Sequence, residues 1–336
     1  MSEENAAMRL SIVTTMYQSE RYVEEFYRRI RAEAQNLTND IEIIFVNDGS
    51  TDNSLTKAVA LTQTDSQVRI IDLSRNFGHH KAMMTGLEYA RGDLVFLIDV
   101  DLEEPPEILS SFFQALSHEE ADVAYGIQAP RHGPLLTRTL ANLFYAVFEF
   151  LSDYSIPQHS LTARLMTRRY VNELIRFKEH LSNMIGLWEL AGFKQVAVPV
   201  RKNPFKGQTT YTFRRKMAAA IYAITAFSSK PLRYIAYLGF VMTALCALYV
   251  IELIIEYFAF GRAPTGWTSL IVSVWLLGGI ILFCLGIIST YLAVIFVETK
   301  ERPYTVIRQV FESKTPDQGG AGESSLVNKR DPSLRS

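Results

Sequence analysis

Two long apolar segments near the carboxyl end constrain the fold of this 336-residue chain more than any other feature. They run from Tyr234 to Phe258 and from Trp267 to Val297, and the second contains no charged residue. A helix needs about 20 apolar residues to cross a bilayer, so both segments are long enough. A buried helix of a soluble protein is the alternative, although such helices seldom stay apolar over this length. We therefore predict two transmembrane helices within residues 232–300.

The basic residues around these segments predict their orientation, because Lys and Arg are retained on the cytoplasmic side of a membrane. The short connection between the segments contains one basic residue, Arg262. The flanking basic residues are Arg214, Arg215, Lys216, Lys230, Arg233, Lys300, Arg302 and Arg308. We expect a multi-pass protein of the cell inner (cytoplasmic) membrane, with residues 1–213 and both termini cytoplasmic. Residues 214–231 are expected to form an amphipathic segment at the bilayer surface.

The first 213 residues have the pattern of a soluble α/β domain. Short β-rich runs at 10–15, 41–46, 68–73 and 94–98 alternate with helical stretches. This alternation predicts a mainly parallel sheet covered by helices on both faces, with ligands at the carboxyl ends of its strands. The near balance of 34 basic and 35 acidic residues argues against a nucleic-acid partner.

The fourth predicted strand ends in a cluster of acidic residues, Asp99, Asp101, Glu103 and Glu104. Neighbouring carboxylates repel each other, so this cluster is costly unless a cation lies among them. Hard oxygen ligands on a short turn suit Mg²⁺ or Mn²⁺, whose remaining coordination is then available to substrate phosphates. A solvated acidic loop is the alternative. Asp48 follows the second predicted strand, so we expect it at the same edge of the sheet.

Several blocks occur in order along the chain, namely Ser11–Tyr17, Val46–Ser54, Asn76–Gly78, Asp99–Pro106 and Glu298–Tyr304. Together they resemble glycosyltransferase family 2, and within it the polyprenyl-phosphate glycosyltransferases, over almost the whole chain. The resemblance implies a GT-A (Rossmann-like) catalytic domain at residues 1–213, followed by the two transmembrane helices. It also implies a homo-oligomer, for which a tetramer is one form. The cytoplasmic tail, residues 301–336, is expected to be disordered from about residue 313 because of its composition.

The resemblance implies roles for individual residues. Asp48 would hydrogen-bond the nucleotide base in a pocket lined by Thr15 and Tyr17. Asp99 and Asp101 would meet the ribose and diphosphate through Mg²⁺ or Mn²⁺. Glu103 would approach the same metal. The implied acceptor-phosphate residues are Arg138, Asn142, Arg201 and Lys206, and the implied catalytic residues are Asp99, Asp101, Arg138 and Arg164.

The activity implied by the resemblance is inverting transfer of a sugar from a nucleotide-sugar donor to a polyprenyl phosphate (undecaprenyl or dolichyl phosphate) at the bilayer. A phosphate acceptor is already ionised near neutral pH, so no strong general base is needed. We accordingly expect His79 and His80 to be surface or packing residues. Departures from the family pattern include Gln128 and Thr162. A non-catalytic nucleotide-binding membrane scaffold and a polysaccharide synthase are the alternative functions.

Overall fold

A mixed sheet organises the chain in this computed structural model, which describes residues 8–128, 149–151, 160–177, 184–203, 224–225, 228–260, 266–300 and 302–313. Its strands are β1 (Leu10–Met16), β2 (Ile41–Asn47), β3 (Val68–Leu73), β4 (Leu94–Leu97), β5 (Val123–Gln128), β6 (Ser160–Thr167), β7 (Gln195–Val200) and β8 (Ile307–Glu312). They lie in the order β7-β5-β6-β4-β1-β2-β3-β8. The central strands β4, β1, β2 and β3 are all parallel to one another.

The parallel centre forms where the sequence analysis predicted it. Every residue of β1, β2, β3 and β4 is buried. Strands buried on both faces carry mostly apolar side chains at successive positions, and these four strands are mostly apolar. The expected α/β class with a mainly parallel central sheet is therefore confirmed.

Helices cover both faces of the sheet. They are α1 (Val23–Gln35), α2 (Ser54–Thr64), α3 (His79–Tyr89), α4 (Ile108–His118), α5 (Arg168–Leu174) and α6 (Met184–Leu190). Phe26 of α1 and Phe112 of α4 belong to the hydrophobic cluster on one face. Leu87 of α3, Tyr170 of α5 and Leu187 of α6 belong to the cluster on the other face. Each of these helices buries one apolar stripe, as expected for the outer layer of an α/β sandwich.

Two long helices follow the sheet, α7 (Lys230–Phe260, 31 residues) and α8 (Trp267–Glu298, 32 residues). Among the described residues, one stretch is long and apolar enough to cross a membrane. This stretch is Ser273–Glu298 within α8. Its most apolar part has a mean hydropathy of 2.7 and contains no buried residue. The structure thus supports one of the two predicted transmembrane helices by length and composition.

The strand β8 returns from the end of α8 to the edge of the sheet, where it pairs antiparallel with β3. Arg69 faces Glu312 and Ile71 faces Val310 in this register. Residues 301–336 were expected to form a tail, and this strand was not predicted. Three of its six residues are exposed, as is common in an edge strand, and so short a strand gives only a weak sequence signal.

Candidate active site

A cleft of about 420 Å³ opens at the carboxyl ends of the central strands. Thr15 and Tyr17 reach it from the end of β1, Asp48 from the end of β2, and Asp99 and Asp101 from the turn after β4. Parallel strands end at the same edge of a sheet, so residues far apart in sequence converge there. The structure therefore brings together the residues predicted to bind the nucleotide and the predicted acidic pair.

Asp48 is held by the backbone of the loop before α3. Its Oδ1 accepts a hydrogen bond from the amide of Phe77 at 2.6 Å, and its Oδ2 accepts one from Gly78 at 3.0 Å. The neighbouring Gly49 adopts a φ of +67°, and a Cβ there would lie 2.5 Å from the backbone of Arg75 and Asn76. Only glycine permits this close approach. The turn after β2 and the loop before α3 consequently form one rigid wall of the cleft.

His79 is exposed, which agrees with the expectation of a surface residue, and it also lines the cleft. Its Nδ1 lies 3.0 Å from the Thr15 hydroxyl, and its Nε2 lies 3.2 Å from Asp99 Oδ1. Burial lowers the pKa of His79, but the carboxylates of Asp99, Asp101 and Asp48 outweigh this effect and raise it above the usual value. His79 thus connects the end of β1 to the acidic turn after β4.

The two carboxylates of the predicted metal site have opposite pKa shifts. Burial acts to raise the pKa of Asp99, but His79, the Thr162 hydroxyl and Lys202 outweigh burial and lower it. Burial raises the pKa of Asp101, and the charges of Asp99 and Glu103 raise it further. A bound cation would therefore stabilise the Asp101 carboxylate more than that of Asp99, because the neighbours of Asp101 compensate less of its negative charge.

Lys202 occupies the far side of the acidic turn. Its Nζ lies 3.2 Å from Glu103 and 3.5 Å from Glu104. Burial lowers the pKa of Lys202, but Glu104, Glu103 and Asp101 outweigh this and raise it. The predicted role of Glu103 as a metal ligand is not supported by this arrangement, since its carboxylate is paired with an ammonium group. Within the described ranges, no three His, Cys, Asp or Glu side chains form a group that could hold a metal.

The backbone of this turn is also held from β7. Leu102 has a φ of +62°, an unfavourable conformation for a side chain of this size. Asn203 stabilises it, because its amide donates to the Glu103 carbonyl at 2.9 Å and its side chain donates to the Leu102 carbonyl at 2.8 Å. The start of the segment after β7 therefore fixes the position of the acidic residues.

Arg164 lies in the protein interior and not on the cleft surface. It is fully buried, with its guanidinium carbon 3.4 Å from the ring centre of Trp188 and 5.0 Å from that of Tyr125. It donates hydrogen bonds to Gln195 and Ser160 at 3.1 and 3.0 Å. Burial lowers the pKa of Arg164 to about 10. The predicted catalytic role is not supported by this position, because a group enclosed in this way cannot contact a substrate.

Of the remaining predicted residues, only Arg201 is described, and it does not line the cleft. Arg201 is exposed just beyond the end of β7. Arg138, Asn142 and Lys206 are outside the described residues. Other residues that line the cleft were not predicted as site residues, among them Arg21, which follows the first strand, and Asn76 in the loop before α3. The Asn76–Gly78 block was the available signal for this loop and for the adjacent His79.

A protein family and individual proteins are similar to this chain in sequence. The family model described as Glycosyl transferase family 2 matches residues 11–181. A Bacillus subtilis protein named "Uncharacterized glycosyltransferase YkcC" is 35% identical over 304 residues, covering 90% of this chain and 94% of its own. The "Prophage bactoprenol glucosyl transferase homolog" of Escherichia coli is 31% identical over 305 residues, covering 90% and 99% respectively.

One solved structure covers a similarly large share of the chain. It is a mannosyltransferase from Pyrobaculum calidifontis in complex with GDP-Man and Mn²⁺. It aligns over 88% of this chain and 87% of its own, with 15% identity and a TM-score of 0.47. This likeness is too distant to bear on ligands, so the family assignment rests on the sequence matches.

Proposed function

Since the chain belongs to glycosyltransferase family 2, we propose that it transfers a sugar from a nucleotide-sugar to a polyprenyl phosphate at the cytoplasmic face of a membrane. The observation that carries this proposal is the convergence of Asp48, Asp99 and Asp101 on one cleft in a chain that also contains the apolar helix α8. The near full-length match to a protein named as a bactoprenol glucosyl transferase homologue supports a lipid-phosphate acceptor.

The donor would occupy the described cleft. Its base would lie against the wall formed by Asp48 and the Phe77–Gly78 backbone, near Thr15. The exposed ring of Tyr17 is available to contact the base or ribose. A cleft of about 420 Å³ is large enough for a small ligand, and it opens to solvent beside the acidic turn. Arg21 lines the same cleft and provides positive charge for an anionic donor.

Asp99 and Asp101 fit a divalent cation. Both carboxylates line the cleft, and the pKa of Asp101 is raised by burial and by its acidic neighbours. Mg²⁺ or Mn²⁺ held by one or two carboxylates keeps coordination sites for donor phosphates. When bound, such an ion would stabilise the negative charge that develops on the departing nucleoside diphosphate.

The reaction itself would be a direct displacement. An oxygen of the lipid phosphate attacks the anomeric carbon, the bond from that carbon to the nucleoside diphosphate breaks, and the configuration inverts. The acceptor is ionised near neutral pH, so the protein need not remove a proton from it. The protein would supply positioning and charge compensation, for which Arg138, Asn142, Arg201 and Lys206 remain the proposed acceptor residues.

The membrane arrangement completes the proposal. We place α8 across the bilayer and α7 as the second span, with both termini and the catalytic domain cytoplasmic. The ring of Phe150 stacks on Tyr234 near the start of α7, with ring centres 5.1 Å apart. An exposed aromatic pair of this kind suits the interface between headgroups and acyl chains. Homo-oligomers, for which a tetramer is one form, remain part of the proposal.

Radiolabel transfer would test this function. Purified protein in detergent with Mg²⁺ or Mn²⁺ would be incubated with undecaprenyl phosphate and a panel of UDP-, GDP- and dTDP-sugars. A chloroform-soluble product that carries one sugar per lipid is expected from at least one donor. Nucleotide binding without any transfer would favour the scaffold alternative. A product that lengthens with time would favour the polysaccharide synthase.

A further inference from the structure

The post-helix segment, residues 302–313, contacts the same structural elements that form the nucleotide wall of the cleft. It follows α8 directly, and only five residues lie between Glu298 and Tyr304. An extended chain of this length spans about 20 Å, so the end of the membrane helix cannot lie far from the sheet edge. The sequence block at residues 298–304 has no role in the proposed reaction. Its position between α8 and the sheet suggests a structural role for the segment that it begins.

The first part of the post-helix segment packs on α3, the helix that begins with His79. The Thr305 hydroxyl lies 2.8 Å from the Thr85 hydroxyl. The Nζ atom of Lys81 lies 5.5 Å from the ring centre of Tyr304, within the range of a cation–π interaction. The amide of Ser74 donates to the Val306 carbonyl at 2.8 Å, so the chain is also tied to the end of β3.

A chain of polar contacts then leads from Arg308 to the turn after β2. Arg308 donates to Asp72 Oδ2 at 3.3 Å and to the Ser74 carbonyl at 2.6 Å. Asp72 Oδ1 accepts a hydrogen bond from the Asn47 side chain at 2.7 Å, and Asn47 Oδ1 accepts one from the Ser50 amide at 3.2 Å. Asp72 and Asn47 are both buried, so their orientations depend on these partners.

This series of polar contacts ends at the turn that carries Asp48. Residues 47–50 place the Asp48 carboxylate against the amides of Phe77 and Gly78, and the Ser50 hydroxyl accepts from the Gln18 amide at 3.2 Å. We propose that Arg308 is a positioning residue, which acts through Asp72 and Asn47 to hold the nucleotide-binding turn in place. The post-helix segment would thereby couple the end of the membrane helix to the affinity of the cleft for a nucleotide.

This inference rests on the proposed function only in taking the occupant of this wall to be a nucleotide. The main test compares Arg308→Met with Glu312→Gln in the full-length protein. Glu312 is a matched control, because it also joins β8 to β3 through an ion pair, 2.6 Å from Arg69 Nε, but in the described part of the chain its side chain does not reach the turn after β2. The first readout is hydrogen exchange of peptides spanning residues 46–51 and 75–80 without any ligand.

We expect Arg308→Met to speed exchange in both peptides by about threefold or more, and Glu312→Gln to leave both unchanged. Arg308→Lys is expected to restore part of the protection, because it keeps the charge opposite Asp72. Unchanged exchange in Arg308→Met, or equal acceleration in Glu312→Gln, would overturn the proposal. This readout does not depend on transfer activity, so it separates the positioning role from the proposed reaction.

The second readout is the dissociation constant of a nucleoside diphosphate, measured by calorimetry with UDP and GDP. We expect Arg308→Met to raise it by about tenfold for whichever nucleotide binds the wild type. Asp72→Asn should have a similar effect, and the double variant should lose little more than either single change, because all three break one chain of contacts. Fully additive losses would show that Arg308 and Asp72 act separately and would contradict the proposal.

Discussion

The two parts of the sheet hold their charged residues in different ways. In the first half-sheet, β1–β4, the carboxylate of Asp48 is held by backbone amides of Phe77 and Gly78. In the second half-sheet, β5–β7, Arg164 is held by aromatic rings and by the side chains of Gln195 and Ser160. The position of a backbone donor follows from the local conformation of the chain. The position of a side-chain partner depends on which residues the tertiary fold brings together. The first arrangement therefore leaves a local sequence motif, and the second does not.

Replacing Gly49 with Ala should break the first half-sheet's turn and give the largest loss of stability. The new Cβ would lie 2.5 Å from the backbone of Arg75 and Asn76, where no flexible side chain can yield. We expect a loss of about 3 kcal/mol in the free energy of unfolding, measured by denaturant titration.

Gly192→Ala is the matched control from the second half-sheet. Gly192 has a similar φ of +70°, but its added Cβ would find its nearest neighbour at 3.8 Å. Only the backbone conformation is then unfavourable, which costs about 1 kcal/mol. Equal losses in the two variants would show that the close approach at Gly49 contributes nothing.

Arg164→Lys should test whether the second half-sheet relies on side-chain partners. An ammonium group cannot donate to both Gln195 and Ser160 while it stacks on Trp188, so we expect a loss of about 2 kcal/mol. The KM for the lipid acceptor should stay within about twofold of wild type, because Arg164 is enclosed. A large rise in that KM at unchanged stability would restore the predicted substrate role.

Lys202→Met should sharpen the comparison at the acidic turn, which the second half-sheet supports through its last strand. Removing the ammonium group near Glu103 and Glu104 makes the turn more negative. We expect Mn²⁺ to bind about threefold more tightly, measured by the electron paramagnetic resonance signal of free Mn²⁺. Lys194→Met, at the other end of β7, is the control and should leave Mn²⁺ binding unchanged. Weaker binding in Lys202→Met would contradict this electrostatic account.

Asp122 gives the smallest predicted effect, and it depends on pH. Its hydrogen bonds with Arg169 outweigh burial and, together with one from Thr167, lower its pKa in the folded protein. A lowered folded-state pKa stabilises the protein above the unfolded value of about 3.9, and this contribution is lost as the pH falls through the folded value. Asp122→Asn should therefore reduce stability at pH 7, and this reduction should shrink as the pH falls below about 3.9. Asp40→Asn, at an exposed residue, should leave stability unchanged at both pH 7 and pH 3. A larger loss of stability in Asp122→Asn at pH 3 than at pH 7 would contradict this prediction.

The sequence was sufficient to predict the first half-sheet and most of its part of the cleft. The apolar runs of β1–β4 set the strands, and their carboxyl ends placed Thr15, Asp48, Asp99 and Asp101 together. The sequence did not predict that His79 would bridge β1 and β4. That contact depends on how the loop before α3 packs, which no pattern of spacing encodes.

Predictions for the second half-sheet succeeded less often, for a physical reason. The family resemblance implied a catalytic role for Arg164, yet its enclosure by Trp188 and Tyr125 depends on a helix and a strand distant in sequence. The sequence pointed to Arg201 and not to its neighbour Lys202. Which of the two side chains faces the acidic turn depends on how the chain leaves β7, and this cannot be read from the sequence. The strand β8 was missed because half of its residues face solvent.

Sugar transfer by Asp101→Asn, beside Asp40→Asn, tests the central claim most directly. Asp101 lines the cleft, whereas Asp40 is exposed before the start of β2. With the donor that the wild type uses, we predict at least about a 1,000-fold loss of transfer in Asp101→Asn and full activity in Asp40→Asn. Nucleoside diphosphate binding without metal should stay within about twofold of wild type. Transfer above a tenth of the wild-type rate in Asp101→Asn would contradict the assignment of this cleft as the active site.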